Sequence, residues 1–143
     1  MKTLILFIFA FLFSVTSFSQ VSFGVPELFN ENWKFKKGDI PEAVSANYND
    51  EDWKNICLPH DWSIEGPLSP DFASANGYLP GGIAWYRKTF NCEQINPGKR
   101  FYIYFEGIYR DGEVFINGHS LGMRPEGFIS YMYDLTGFLK KGE

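Results

Sequence analysis

The residues of this 143-residue chain that are equipped for chemistry are few and scattered. His60-Asp61 sets an imidazole beside a carboxylate, the pair that orients a general base in a hydrolase triad. Adjacent residues of an extended chain point apart, and no G-x-S-x-G nucleophile motif accompanies them. Asp61 and His60 are therefore expected to hydrogen-bond loop backbone, with Trp62 filling the edge of the core. Glu65, Glu106, Asp111 and Glu126 supply carboxylates for an acid/base pair, but Glu106 precedes Gly107 and Asp111 precedes Gly112, which reads as strand-end and turn chemistry. Between Gly66 and Gly82, Asp71, Asn76 and Tyr78 place hydrogen-bonding groups and an aromatic ring where they could bond to and stack on a sugar; the competing reading is a solvated or domain-packing loop. Cys57 and Cys92 either bridge or remain buried thiols, and with His60 and His119 they show no metal-ligand spacing. No metal site, cofactor or catalytic group is expected.

These residues must be carried by strands. No long helical period is visible, and 14 Gly and 8 Pro break the chain into short aromatic or β-branched runs, the signature of an all-β sandwich. Trp33–Lys36 alternates as a first strand, and Tyr48–Trp53 reads as a turn with a short helical hook capped by Asn49 or Asp50, dropping Trp53 into the core. Asn55–Leu58 is a second strand ended by Pro59, and Ser63–Gly82 is a long loop. Ile83–Asn91 alternates, with Trp85 and Arg87 on one face and Tyr86, Lys88 and Phe90 on the other; a strand Trp is usually core. After a turn at Asn96-Pro97-Gly98, the continuous run Arg100–Glu106 suggests a central strand buried on both faces. Glu113–Ile116 enters a hairpin at Asn117-Gly118 and returns through His119–Gly122. Phe128–Tyr133 is a further strand, closed by a capped turn at Asp134–Gly137, and another turn is expected at Lys140–Glu143.

Lys2, ten apolar residues from Leu4 to Phe13, and small residues at Ser17 and Ser19 make a secretory signal peptide over 1–19. Ten residues give about 15 Å of helix, half of a ~30 Å hydrocarbon core, so no membrane anchor is expected. Residues 20–143 suffice for one domain, exported to the periplasm or the exterior. Without Lys2 the net charge falls from −4 to about −5, with no basic cluster, which argues against nucleic acid or an anionic membrane as partner. An aromatic share of 19% fits either an aromatic-packed sandwich or a carbohydrate-facing surface.

Leu58-Pro59-His60-Asp61-Trp62-Ser63-Ile64-Glu65-Gly66, followed by Gly77–Phe90, resembles the amino-terminal, sugar-binding-like domain of family 2 glycoside hydrolases of the β-galactosidase type. Asn32–Phe35, Tyr48–Trp53, Phe105–Ile108, Val114–Gly118 with Leu121-Gly122, and Tyr133–Thr136 follow the same pattern in the same order, so the resemblance covers roughly 29–143. It implies a jelly-roll β-sandwich lacking its last strands, followed in the family by an immunoglobulin-like domain and a catalytic (β/α)₈ barrel. It also implies retaining hydrolysis by two barrel glutamates, whose carboxyl groups stand about 5–5.5 Å apart in such a mechanism. The family's acid/base glutamate follows an asparagine; the Asn30-Glu31 pair here precedes the first strand, outside any barrel, and is rejected as catalytic.

The resemblance therefore implies an inactive, scaffolding amino-terminal domain whose carbohydrate substrate is bound through the absent barrel. A loop of this domain, in 66–82, would reach the substrate pocket, with Asp61 as a minor candidate at its rim; a homo-oligomeric parent is compatible with this role. The alternatives are a stand-alone carbohydrate-binding module and, third, a purely structural surface protein.

Overall fold

The computed structural model describes residues 24–93, 95 and 98–140. The expected leader 1–19 and terminal turn 140–143 lie wholly or mostly outside that range, and the turn at 96–98 lies largely outside it. Seven strands make three antiparallel sheets among the described residues. β1 (Trp33–Lys37) is flanked by β2 (Lys54–Ile56) and β3 (Ala84–Arg87). β4 (Tyr102–Phe105) pairs with β7 (Tyr131–Asp134), and β5 (Gly112–Ile116) with β6 (His119–Arg124). The protein is an all-β domain of the β-sandwich kind, as its aromatic and β-branched runs require.

The Trp33↔Ile56 and Phe35↔Tyr86 registers put apolar side chains in cross-strand contact. The alternation expected in β3 divides its contacts. Tyr86 meets the ring of Phe35 at 5.1 Å, while Trp85 stacks on Phe115 of β5 at 5.9 Å, joining the three-stranded sheet to the hairpin. A second core lies between the ribbon and the hairpin: Tyr131, Tyr133, Leu135 and Ile116 are buried, with Ile103, Phe105, Val114 and Leu121 packed around them. The Tyr133 hydroxyl donates to the Gly122 carbonyl at 3.1 Å and ties β7 to β6.

Local signals held where a few neighbouring atoms decide the geometry. Asn117 (φ 48°) and Gly118 (φ 82°) both occupy the left-handed region that the tight hairpin turn demands. The Asp134 carboxylate accepts from the Thr136 N–H at 2.9 Å, and the Thr136 hydroxyl accepts from the Phe101 N–H, so one turn anchors both strands of the ribbon.

Other expectations are corrected. Tyr48–Trp53 is a turn, not a helical hook: the Asn49 side chain accepts from the Glu51 N–H, and the single-turn 3-10 helix lies earlier, at Pro41–Val44. Trp53 is nevertheless buried. β2 ends at Ile56 because the Leu58 N–H turns to the Asn30 carbonyl. β3 stops at Arg87 and β7 begins only at Tyr131, both shorter than expected. β4 is not buried on both faces: Tyr102 and Tyr104 are 38% and 59% exposed, and only Ile103 and Phe105 turn toward the core. A tyrosine ring continues an apolar run in the sequence, while its hydroxyl lets it face water.

Arg87 makes the densest set of contacts. Its Nε donates to Asp50 Oδ2 at 3.1 Å, its terminal nitrogens donate to the carbonyls of Ala43, Ser45 and Ala46, and it lies 5.6 Å from the Tyr48 ring centroid. With 15% of the Arg87 side chain and 23% of Asp50 exposed, truncation would strand a poorly solvated carboxylate and several carbonyls. Arg87→Ala is expected to cost about 2–4 kcal/mol in urea unfolding. A loss below about 0.5 kcal/mol, the size of a surface pair, would show that this network carries no stability.

Candidate functional site

Pro59, three residues past the end of β2, delivers His60 against the face of the three-stranded sheet. Its ring centroid lies 4.8 Å from that of Phe35. Nδ1 stands 2.9 Å from the Tyr86 hydroxyl and Nε2 3.2 Å from Glu65 Oε1. A carboxylate only accepts, so Nε2 carries the proton, and in the neutral ring Nδ1 accepts from the Tyr86 O–H. The Tyr86 phenol is pushed up to about 12 by burial, reinforced by Asp61 and Glu65, and stays a donor at neutral pH. Glu65 also pairs with Lys54 of β2. His60 thus bonds side chains on β3 and the loop, not the loop backbone that the sequence suggested.

Asp61 caps the 3-10 turn Trp62–Glu65, its carboxylate accepting from the Ser63 N–H at 2.9 Å and from the Ser63 hydroxyl at 2.6 Å. Trp62 is half-buried, with the Lys37 ammonium 4.4 Å over its ring. Asp71 closes a small turn with Ser69. Asn76 ends the 3-10 turn Ser74–Asn76, and Tyr78, at φ 61° and 48% exposed, follows it. Asp61 and Asp71 serve their own turns, while Asn76 and Tyr78 belong to a third, exposed one.

A different set of residues makes a concavity. Tyr109, Arg110 and Asp111 from the β4–β5 connection, with Pro125–Phe128 from the β6–β7 connection, line a shallow cleft of about 280 Å³. Tyr109 and Phe128 meet edge to face at 5.4 Å and are 62% and 87% exposed. Arg110 Nε lies 3.4 Å from Asp111 Oδ2, and the Asp111 N–H donates to the Pro125 carbonyl. Gly127 is required here, because a Cβ on it would stand 2.6 Å from Tyr109 Cδ2 and 3.1 Å from Tyr109 Cα. The cleft is open and smaller than the roughly 300–1,000 Å³ of pockets that enclose drug-sized ligands. Glu126 and Asp111 stood out in the sequence as carboxylates, but the pairing of 109–111 with 125–128 is tertiary and left no local signal.

The other carboxylates are mostly committed to structure. Asp50 serves Arg87, Glu65 serves Lys54 and His60, and Glu113 accepts from the Ser120 hydroxyl. Glu31 accepts from the Cys57 thiol, which raises that thiol's pKa; Cys57 and Cys92 are both free. No cluster of three or more His, Cys, Asp or Glu suited to a metal ion exists among the described residues, and no described helix is long and apolar enough to cross a membrane.

The Glu65 carboxyl is held below its usual range, first by Lys54 and then by His60, while Lys36 lowers Asp52 and the Thr136 hydroxyl and N–H lower Asp134. A depressed carboxyl contributes stability that is present above the ordinary carboxylate range and is lost as the pH falls through the folded value. The melting temperature should therefore fall between about pH 6 and about pH 3, and Glu65→Gln should lower it at pH 6 and flatten part of that fall. Equal pH slopes for the variant and the parent would exclude Glu65 from the linkage.

No family model matches the chain. Among curated proteins, the chain is 50% identical over 117 residues to the β-galactosidase BoGH2A of Bacteroides ovatus, covering 80% of this chain and 14% of the relative. It is 44% identical over 117 residues to a putative β-glucuronidase of Formosa agariphila, covering 80% and 11%. Among solved structures, a β-glycosidase from Bacteroides vulgatus superposes with a TM-score of 0.75 at 47% identity, covering 80% of this chain and 15% of that one. A glycosyl hydrolase family 2 member from Bacteroides cellulosilyticus gives 0.73 at 33% identity, covering 82% and 16%. The chain thus spans only about a seventh or less of the length of these two curated relatives.

Proposed function

Since the chain belongs to glycoside hydrolase family 2 as a domain of the amino-terminal type, we propose that it is a non-catalytic, carbohydrate-contacting part of a larger enzyme that cleaves O-glycosidic bonds. The single observation that carries this reading is the cleft: two exposed aromatic rings, Tyr109 and Phe128, beside Arg110, Asp111 and Glu126. A pyranose has an apolar C–H face and a polar periphery, so a ring surface edged by charged hydrogen-bonding groups matches both. The substrate is a β-galactoside or a close relative such as a β-glucuronide, in keeping with the activities named for the relatives.

Catalysis is assigned to residues beyond these. Retaining hydrolysis needs a nucleophile and an acid/base carboxyl about 5–5.5 Å apart, and most carboxylates here are engaged by capping N–H groups or by ion pairs. The loop through Asp71, Asn76 and Tyr78, with Asp61 at its base, is proposed as a second contribution to the sugar pocket of the assembled enzyme. A jelly-roll winding of the strands and export through the apolar leader complete the reading.

Titrating the purified chain with methyl β-galactoside, and separately with methyl β-glucuronide, tests it by NMR. Saturable shifts are expected at Tyr109, Arg110 and Gly127 with at least one of the two sugars, and Phe128→Ala should abolish them. Shifts confined to 66–82 would move the contact to the loop. No shift anywhere with either sugar would remove the carbohydrate role from this domain.

A further inference from the structure

Two Asn-Gly pairs occur in the chain, Asn76-Gly77 and Asn117-Gly118. The main-chain nitrogen after an asparagine can attack its side-chain amide, and a following glycine removes the Cβ that would crowd the approach. The backbone decides which pair reacts. Closing the five-membered ring sets the glycine nitrogen nearly eclipsed with the asparagine Cβ, at the ψ of the first central residue of a type II′ turn, about −120°. Asn117 and Gly118, at φ 48° and 82°, form the two-residue type I′ turn between β5 and β6. Rotating the one peptide plane between them converts type I′ into type II′, the other turn that closes such a hairpin. That rotation carries the Asn117 ψ from about +30° to about −120° and leaves its φ unchanged. Gly118 accepts the accompanying reversal of its own φ. Neither the Asn117 carbonyl nor the Gly118 N–H makes a hydrogen bond among the described residues, so the plane turns without breaking one. Both residues are exposed, and Asn117 Nδ2 donates to the Phe138 carbonyl at 3.0 Å.

The other pair is held. Asn76 ends a 3-10 turn, where its carbonyl accepts from the Leu79 N–H at 3.2 Å and the Gly77 N–H donates to the Ser74 carbonyl at 2.9 Å. Turning that peptide plane breaks both bonds. We propose that Asn117 is a site of spontaneous deamidation, with the I′-to-II′ flip of the hairpin turn delivering the nucleophile. The Gly118 nitrogen gives its proton to solvent base and bonds to Asn117 Cγ. The Cγ–Nδ2 bond then breaks, and ammonia leaves with a proton returned by solvent. Water opens the cyclic imide at one of its two carbonyls, giving aspartate, or isoaspartate with the main chain rerouted through the side chain. Nothing is oxidised or reduced, and water is the co-reactant. Either product sets a carboxylate in place of the amide that donates to the Phe138 carbonyl. Isoaspartate also adds a methylene to the turn that fixes the Ile116↔His119 register. Ile116 belongs to the core and Phe115 stacks on Trp85, so the change is felt beyond the turn.

Ageing the purified chain at mildly alkaline pH, folded and in urea, tests this by mass spectrometry of tryptic peptides. The two pairs fall in different peptides, since Arg87 and Arg110 lie between them. In the folded chain, conversion at Asn117 is expected to run at least about tenfold faster than at Asn76, whose reaction waits on local opening. It should yield isoaspartate and quicken with rising pH, because the attacking nitrogen must lose its proton. In urea the two rates should converge to within about threefold, since both turns are gone. Equal rates in the folded chain, or faster conversion at Asn76, would overturn the assignment. The same excess at Asn117 in urea would trace the difference to sequence alone and remove the role of the turn. An Asn117 that stays intact in the folded chain and converts in urea would show that the hairpin shields it, and the proposal would fall.

Discussion

Arg87 lies on β3 with its guanidinium turned back onto the segment that joins β1 to β2, where it meets Asp50 and the carbonyls of Ala43, Ser45 and Ala46. That segment has little regular structure of its own beyond one 3-10 turn, so its carbonyls need a donor from elsewhere. One side chain supplies several at once, in a planar geometry that lysine cannot reproduce. With the connection held, Trp53 is buried and β2 returns beside β1 in register with Trp33 and Phe35. β2 in turn leads to Pro59 and His60, and His60 clamps the following loop through Glu65 while resting on Tyr86 of β3. The order of dependence thus runs from a strand cation to a connection, to an edge strand, to the loop.

The same economy explains why a domain rich in polar side chains is read as a scaffold. Asp61 spends its charge on a 3-10 turn, Asp134 on the turn after β7, and Glu65 on Lys54 and the His60 ring. An acid/base or nucleophilic carboxylate must be free to exchange protons with, or bond to, a substrate. The exposed surface left uncommitted includes the cleft, where the Tyr109 and Phe128 rings meet beside Arg110, Asp111 and Glu126.

How far the sequence could be read tracks how local each determinant is. The Asn117-Gly118 hairpin was legible because the φ > 0 requirement falls on two adjacent residues, and the Asp134–Thr136 turn because one carboxylate reaches a backbone N–H two residues on. Strand existence followed from aromatic and β-branched runs, but strand ends did not: Leu58 leaves the ladder for a carbonyl 28 residues earlier in the chain, at Asn30. The run Arg100–Glu106 misled because tyrosine counts as apolar in a pattern and as amphipathic at a surface. The cleft was invisible for a similar reason, since only the fold brings 109–111 against 125–128. The loop residues Asp71, Asn76 and Tyr78 were found by composition, and the structure shows what composition could not: Asp71 belongs to one small turn and Asn76 and Tyr78 to another.

The division of labour between a binding scaffold and chemistry performed elsewhere is tested most directly by assaying the purified chain for hydrolysis of a chromogenic β-galactoside and a chromogenic β-glucuronide, at protein concentrations high enough to detect a single turnover. The proposed scaffold role predicts no release above the protein-free control with either substrate. Release that scales with protein concentration and disappears on replacing one of the cleft carboxylates, Asp111→Asn or Glu126→Gln, would place the chemistry in this domain and contradict the scaffold.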